Sequence, residues 1–175
     1  MVPEAPLERS GAGLTPKGEG WFVLNVRDAR WLDGGKFGTY TRFEGDARFP
    51  QFGINIGVLE PGQPSCWYHA EEDQEGFLVL SGEAVLIVEG EERPLKQWDF
   101  FHCAPWTEHV IVGAGTGPCA ILAVGPRPGG DVVYLVSDVA LGHGAGVEQE
   151  TRSGEEAYDG LPPDDDTEFQ EAWLH

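Results

Sequence analysis

Apolar runs in this chain are short, and a glycine or a proline ends nearly every one of them. There are 25 glycines and 13 prolines in 175 residues. Helix interiors reject both, glycine for the backbone entropy it gives up and proline for its missing N–H and its clash with the preceding turn. Short strands between turns are what such a chain can build. The segment FGINIGVLE, Phe52 to Glu60, shows the period: Phe52, Ile54, Ile56 and Val58 fall on one face of an extended chain. Further strands are expected at Trp21 to Val26, Thr39 to Phe43, Glu75 to Ser81, Ala84 to Val88, Arg93 to Leu95, His109 to Val112, Cys119 to Val124 and Asp131 to Ser137. Asp28 to Leu32 reads as a turn of helix or a strand end. Glu89-Gly90-Glu91 is a hairpin turn, and Ser137 or Asp138 caps a short helix ending near Leu141. The pattern is that of an all-β sandwich or barrel.

The two ends differ from the middle. Residues 1–20 are rich in proline, glycine and charge and read as a flexible N-terminal arm. Residues 21–147 carry the strand pattern of one β-barrel domain. Residues 148–175 form an acidic tail, with ten acids against one arginine. A short helix fits Glu155 to Tyr158, and Phe169, Trp173 and Leu174 could dock on the barrel or on a partner subunit.

The net charge of -19 sets the chain against phosphate backbones and anionic membranes, so neither nucleic acid nor membrane is an expected partner. No apolar run approaches the roughly 18 residues of a membrane helix. Cys66, Cys103 and Cys119 are odd in number and lack CxxC spacing. Free thiols and a reducing, cytoplasmic location are therefore expected.

Chemistry concentrates in two stretches. In the first, His69 and Glu71 are two apart and share a strand face, and Glu75 follows a short turn at the start of the next strand. In the second, WDFFHCAPWTEHVIVG, His109 opens another strand. Imidazole and carboxylate are the donors a divalent first-row metal accepts. No GxSxG, P-loop or zinc-ribbon pair is present, and GAGTG lies between two strands as a turn.

These two stretches resemble the two motifs of the cupin superfamily. The first cupin motif runs Gly, five residues, His-x-His, three or four residues, Glu, six residues, Gly. Here it is Gly62, six residues, His69-Ala70-Glu71, three residues, Glu75, six residues, Gly82. The second runs Gly, five residues, Pro-x-Gly, two residues, His, three residues, Asn. Here it is Trp98, five residues, Ala104-Pro105-Trp106, two residues, His109, three residues, Gly113. Fifteen residues separate Gly82 from Trp98, a spacing that suits small single-domain bacterial cupins. Glu71 replaces the second histidine, and the second motif is degenerate. With Trp106 in place of glycine, a positive φ is not expected there.

The resemblance implies a double-stranded β-helix, the cupin jelly-roll barrel. It implies His69, Glu71, Glu75 and His109 as ligands of one divalent transition metal, with Fe, Mn, Zn and Ni all open. The pocket wall is expected from Phe77, Val79 and Ile111. A small molecule is the expected ligand. Relatives include metal-dependent oxygenases and sugar-type isomerases, and a non-catalytic ligand-binding or sensor cupin is the alternative. Cys66, of opposite parity to His69, is read as a buried thiol. His102 is placed in a turn, Glu108 away from the pocket, and His143 and His175 in loop and tail. A homodimer is expected through sheet edges such as Trp21 to Val26.

Overall fold

The structure, a computed structural model, describes residues 1–127 and 129–174. The side chain of Leu174 and all of His175 lie outside the described residues. In chain order the strands are β1 (Leu7–Ser10), β2 (Gly13–Pro16), β3 (Trp31–Asp33), β4 (Thr39–Thr41), β5 (Phe52–Leu59), β6 (His69–Glu71) and β7 (Glu75–Ser81). They continue as β8 (Glu83–Val88), β9 (Glu91–Lys96), β10 (Phe100–Cys103), β11 (His109–Ala114), β12 (Cys119–Pro126), β13 (Val132–Tyr134) and β14 (Asp165–Thr167). The α-helices are α1 (Asp138–Gly142) and α2 (Gly154–Ala157). Two antiparallel sheets face each other, ordered β10-β7-β12-β5-β4-β3-β14 and β13-β6-β11-β8-β9. Consecutive strands often lie in different sheets, which is the jelly-roll arrangement expected.

Between the sheets Leu59, Val79, Leu86, Ile111 and Ile121 form a buried core, with Phe77 and Phe101 packed on it. Both outer faces are also partly covered. Outside the smaller sheet, Tyr68, Ile87, Val110 and Val112 pack against Ala140 and Ala145. Ser137 caps α1 there by accepting from the Ala140 N–H. Outside the larger sheet, Ile56, Val58 and Ala120 pack against Trp31 and Trp173. The apolar row of β5 thus faces away from the barrel interior. Its inner row is Asn55, Gly57 and Leu59, and those residues line a cavity.

The β8–β9 hairpin closes on Glu89 and Gly90 at φ 50° and 76°, the two left-handed residues a tight hairpin turn demands. Trp21 to Val26 is not a strand. Trp21 makes one bridge, to Glu4, and Asn25 then turns the chain by accepting the Arg27 N–H on its side chain. The sheet edge expected there for dimerisation is therefore not formed. The Asp28 to Leu32 stretch is a turn that leads into β3.

At the ends, β1 and β2 pair as a hairpin, and β14 pairs with β3. Phe169 and Trp173 dock on the barrel, where Trp173 lies 4.8 Å from Trp31 between ring centroids. Ser81 Oγ donates to the Trp173 carbonyl at 2.7 Å. Among the described residues no helix is long and apolar enough to cross a membrane.

Candidate metal centre

Strand pairing brings the two histidines together. In the antiparallel β6–β11 pair, His69 stands opposite His109, and Tyr134 of β13 stands on the other side of His69. Residues paired this way project side by side from one face. Alternation along β6 turns Ala70 into the covered outer layer and leaves His69 and Glu71 facing inward. Tyr68, just before it, is fully buried; its hydroxyl donates to Glu108 at 2.9 Å and accepts the Gly90 N–H at 3.0 Å. Glu108 thus faces away from the pocket, as its parity implies. Glu75 arrives from the opposite sheet, where it opens β7.

One ligand atom from each of His69, Glu75 and His109 lies within 4.8 Å of the others. The imidazole centroids are 4.7 Å apart, and His109 Nε2 is 3.3 Å from Glu75 Oε2. Each ring is oriented from behind. His69 Nδ1 lies 2.8 Å from the Trp67 carbonyl, and His109 Nδ1 lies 3.1 Å from the Thr107 carbonyl. A carbonyl can only accept, so Nδ1 carries the proton and each neutral ring offers its Nε2 lone pair. Metal-binding histidines are held in this way.

Glu75 Oε2 is buried and has no hydrogen-bond partner. Beside two Nε2 lone pairs such an oxygen is unfavourable unless a proton or a cation sits among them. In the protein alone the proton goes to His109. Burial opposes its charge, but the Cys103 and Glu75 side chains outweigh burial and raise the ring to about 11. His69 is pushed the other way by burial and by the neighbouring His109. The donor set fits a divalent ion of the borderline class: two imidazole nitrogens and one carboxylate with a buried oxygen.

Glu71 falls outside the set of three. It nevertheless feels the centre, since burial and then the charge of Glu75 raise its carboxyl to about 7. Its carbonyl accepts the Trp106 N–H at 2.6 Å, which ties β6 to the Ala104–Trp106 turn. Trp98 and Trp106 both adopt positive φ, 74° and 64°. The backbone there follows the glycine conformation although tryptophan replaces glycine, contrary to the expectation for Trp106.

Two of the thiols lie against the imidazoles, Cys66 closer than its strand parity implied. Cys66 Sγ lies 3.6 Å from His69 Nδ1, and Cys103 Sγ lies 3.4 Å from His109 Nδ1. The parity argument fails for Cys66 because β6 begins only at His69 and the residues before it bend. Both sulfurs lie on the Nδ1 side of the rings. His102 is not in a turn but exposed on β10, opposite Gly76. His143 sits at the end of α1, 2.8 Å from Glu92. Phe77 and Phe101 close the apolar side of the site, with ring centroids 5.5 and 5.7 Å from that of His109.

Comparison with known proteins agrees with this architecture. Residues 55–125 match the cupin domain family. That match and the shared fold support the cupin superfamily for this barrel. A sugar phosphate isomerase of the cupin superfamily from Silicibacter pomeroyi is similar at 30% identity and TM-score 0.50 over 56% of this chain. This chain covers 64% of that protein, less than two thirds of its length. A candidate sugar phosphate isomerase from Acidithiobacillus ferrooxidans is also 30% identical, over 47% of this chain and 54% of its own, at TM-score 0.44. The polyketide cyclase RemF from Streptomyces resistomycificus shares the fold at 18% identity and TM-score 0.57, over 68% of this chain and 90% of its own. No curated protein matches the chain.

Proposed function

We propose that the protein is a metal-dependent cupin that isomerises a small oxygenated molecule by moving a proton inside the barrel. His69, Glu75 and His109 hold the ion, and Glu71 stands beside it. The observation that carries this reading is the buried, unpartnered Glu75 oxygen facing two histidines whose Nε2 atoms are turned toward it. A bound divalent ion supplies polarisation of a carbonyl or hydroxyl. The chain supplies the rest. Phe77 and Phe101 keep water from one side of the site. Glu71, whose carboxyl is raised in the ion-free protein by burial and by the charge of Glu75, stands where it can take up and return a proton. The likeness to a sugar phosphate isomerase supports isomerisation over other metal chemistry.

A second reading has its own support. Two histidines and one carboxylate with open positions are also the set used by iron-dependent oxygenases. If Glu71 instead closes the ligand set as a fourth donor, a non-catalytic sensor is favoured. In each case residues 21–147 are the working barrel, and the acidic 148–175 segment adds cover through Tyr158 and Trp173.

Elemental analysis of protein purified without added metal, for the native chain and for His69→Ala and His109→Ala, tests the site. Metal in the native chain alone is the expected result, and equal content in all three refutes it. Interconversion of small hydroxyaldehydes and hydroxyketones without oxygen uptake is the expected activity. Oxygen consumption would select the second reading. We also propose a homodimer, through the outer face of the larger sheet, where Phe52 and Phe100 remain exposed beside Leu78, Leu122 and Val124. A monomer by light scattering at micromolar concentration would remove the dimer.

A further inference from the structure

Beyond the metal ligands, the barrel interior opens into a cavity of about 240 Å³ on the inner face of the larger sheet. Its room comes from small residues. A Cβ built on Gly57 meets nothing within 4 Å, and Ala123 and Ser65 line the same space. Phe77 and Ile111 connect it to the centre, since Phe77 packs on His109 and Ile111 follows His109 on the inward row of β11. At about 30 Å³ per water in the liquid, the volume accommodates roughly eight non-hydrogen atoms.

The far wall carries a positive charge. Arg42 lines the cavity together with Tyr40 and Asn55. Among the described residues its guanidinium makes no ion pair and donates one hydrogen bond, to the Tyr40 hydroxyl at 2.9 Å. The same hydroxyl donates to Asp164, and the guanidinium lies 4.8 Å from the Tyr40 ring centroid. Arg42 is thus oriented through Tyr40, with most of its donors free. The nearby acid Glu44 is engaged elsewhere, with Arg48 at 3.3 Å and Arg127 at 3.2 Å. Arg42 is exposed where the cavity opens, and Asp164 shares the Tyr40 hydroxyl with it without making an ion pair to the guanidinium.

We infer that the cavity takes a small anion, a carboxylate or a phosphate ester, with its anionic group on Arg42 and its oxygen-bearing end toward His69, Glu75 and His109. This rests on the proposed metal reading for the second contact only. Arg42 reads the charged end by charge-assisted hydrogen bonds, and its fork geometry suits either oxyanion. Gly57 sets the length of ligand that fits between the two ends.

The test is titration calorimetry at neutral pH with lactate, glycerol phosphate and neutral glycerol, on protein whose metal content is measured in the same samples. Lactate or glycerol phosphate should bind and glycerol should not. Whichever anion binds tighter decides between carboxylate and phosphate. Arg42→Gln should weaken that binding by about tenfold or more at unchanged metal content. Gly57→Leu, placed on a strand with open space before it, should abolish binding; if it does not fold, Gly57→Ala is read instead and should weaken it. Glycerol binding as tightly as the anions, no anion binding to metal-loaded protein, or equal affinity in Arg42→Gln would each overturn the inference. Anion binding lost in Arg42→Gln, in protein that takes up no metal when Mn, Fe, Zn or Ni is added, would refute the metal reading and leave this one standing.

Discussion

Replacing Glu75 by glutamine separates the charge of the centre from its shape. The side chain keeps its length and its place at the start of β7, but the buried oxygen no longer carries charge. In the ion-free protein the loss is partly offset, because a glutamine amide can donate to a neutral His109 Nε2 across the present 3.3 Å separation. Removing one partner of a buried pair costs ~3–5 kcal/mol at most, and this offset should hold the loss near the lower limit or beneath it. The metal response is the sharper readout. A divalent ion at a hundred times its Kd stabilises the native chain by ~2.7 kcal/mol. At ~2–4 °C per kcal/mol for a chain of this size, melting should rise by about 5–10 °C. If the amide weakens the ion a hundredfold, the same concentration only matches Kd, and the gain falls to about 0.4 kcal/mol, or ~1 °C. Thermal melts of both proteins, with and without Mn, Fe, Zn or Ni, measure this directly. An equal metal-induced rise in the two proteins would refute the assignment of Glu75 as a ligand.

The same pair predicts a pH dependence. His109 is raised from 6.5 to about 11 in the folded ion-free protein, so its stabilising contribution is complete below pH 6.5 and is lost as pH climbs toward 11. Burial raises Cys66 and Cys119 to about 11 as well, which removes stability above about pH 9 in any variant, so the difference between native and Glu75→Gln denaturation curves isolates the histidine. That difference should shrink from pH 7 to 11; a constant difference would contradict the pairing. Trp173→Ala should cost ~3–5 kcal/mol in urea denaturation, since it empties a buried site against Trp31. A loss under ~1 kcal/mol would mean that the C-terminal segment is not docked in solution. Trp98→Gly should be neutral or stabilising by up to ~1–2 kcal/mol, because Trp98 is exposed and held at φ 74°, where a β-carbon is strained.

Sequence periodicity determined the β class of this protein, the hairpin at Glu89-Gly90 and the capped α1 helix, and the motif resemblance named four candidate ligands, His69, Glu71, Glu75 and His109, of which the structure gathers three. The first three are local, since alternation, a turn residue or a cap is written within a few positions of itself, whereas the ligands meet only through the β6–β11 pairing and the facing sheet. Which face of β5 looks inward was not local. Its apolar row Ile56 and Val58 could serve either side, and only the docking of Trp31 and Trp173 turned it outward and left Asn55 and Gly57 to the cavity. Nor did parity foresee Cys66 behind the His69 imidazole, because the chain bends before β6, and Cys103 reaches His109 from the end of β10. The left-handed backbone at Trp98 and Trp106 is likewise a tertiary result: each lies in a turn whose path is set by its hydrogen bonds, Trp98 N–H to the Val79 carbonyl and Trp106 N–H to the Glu71 carbonyl. The pairing of β14 with β3 came from the same source. An acidic segment with no apolar period of its own becomes ordered only when a distant strand edge and a tryptophan-lined hollow receive it.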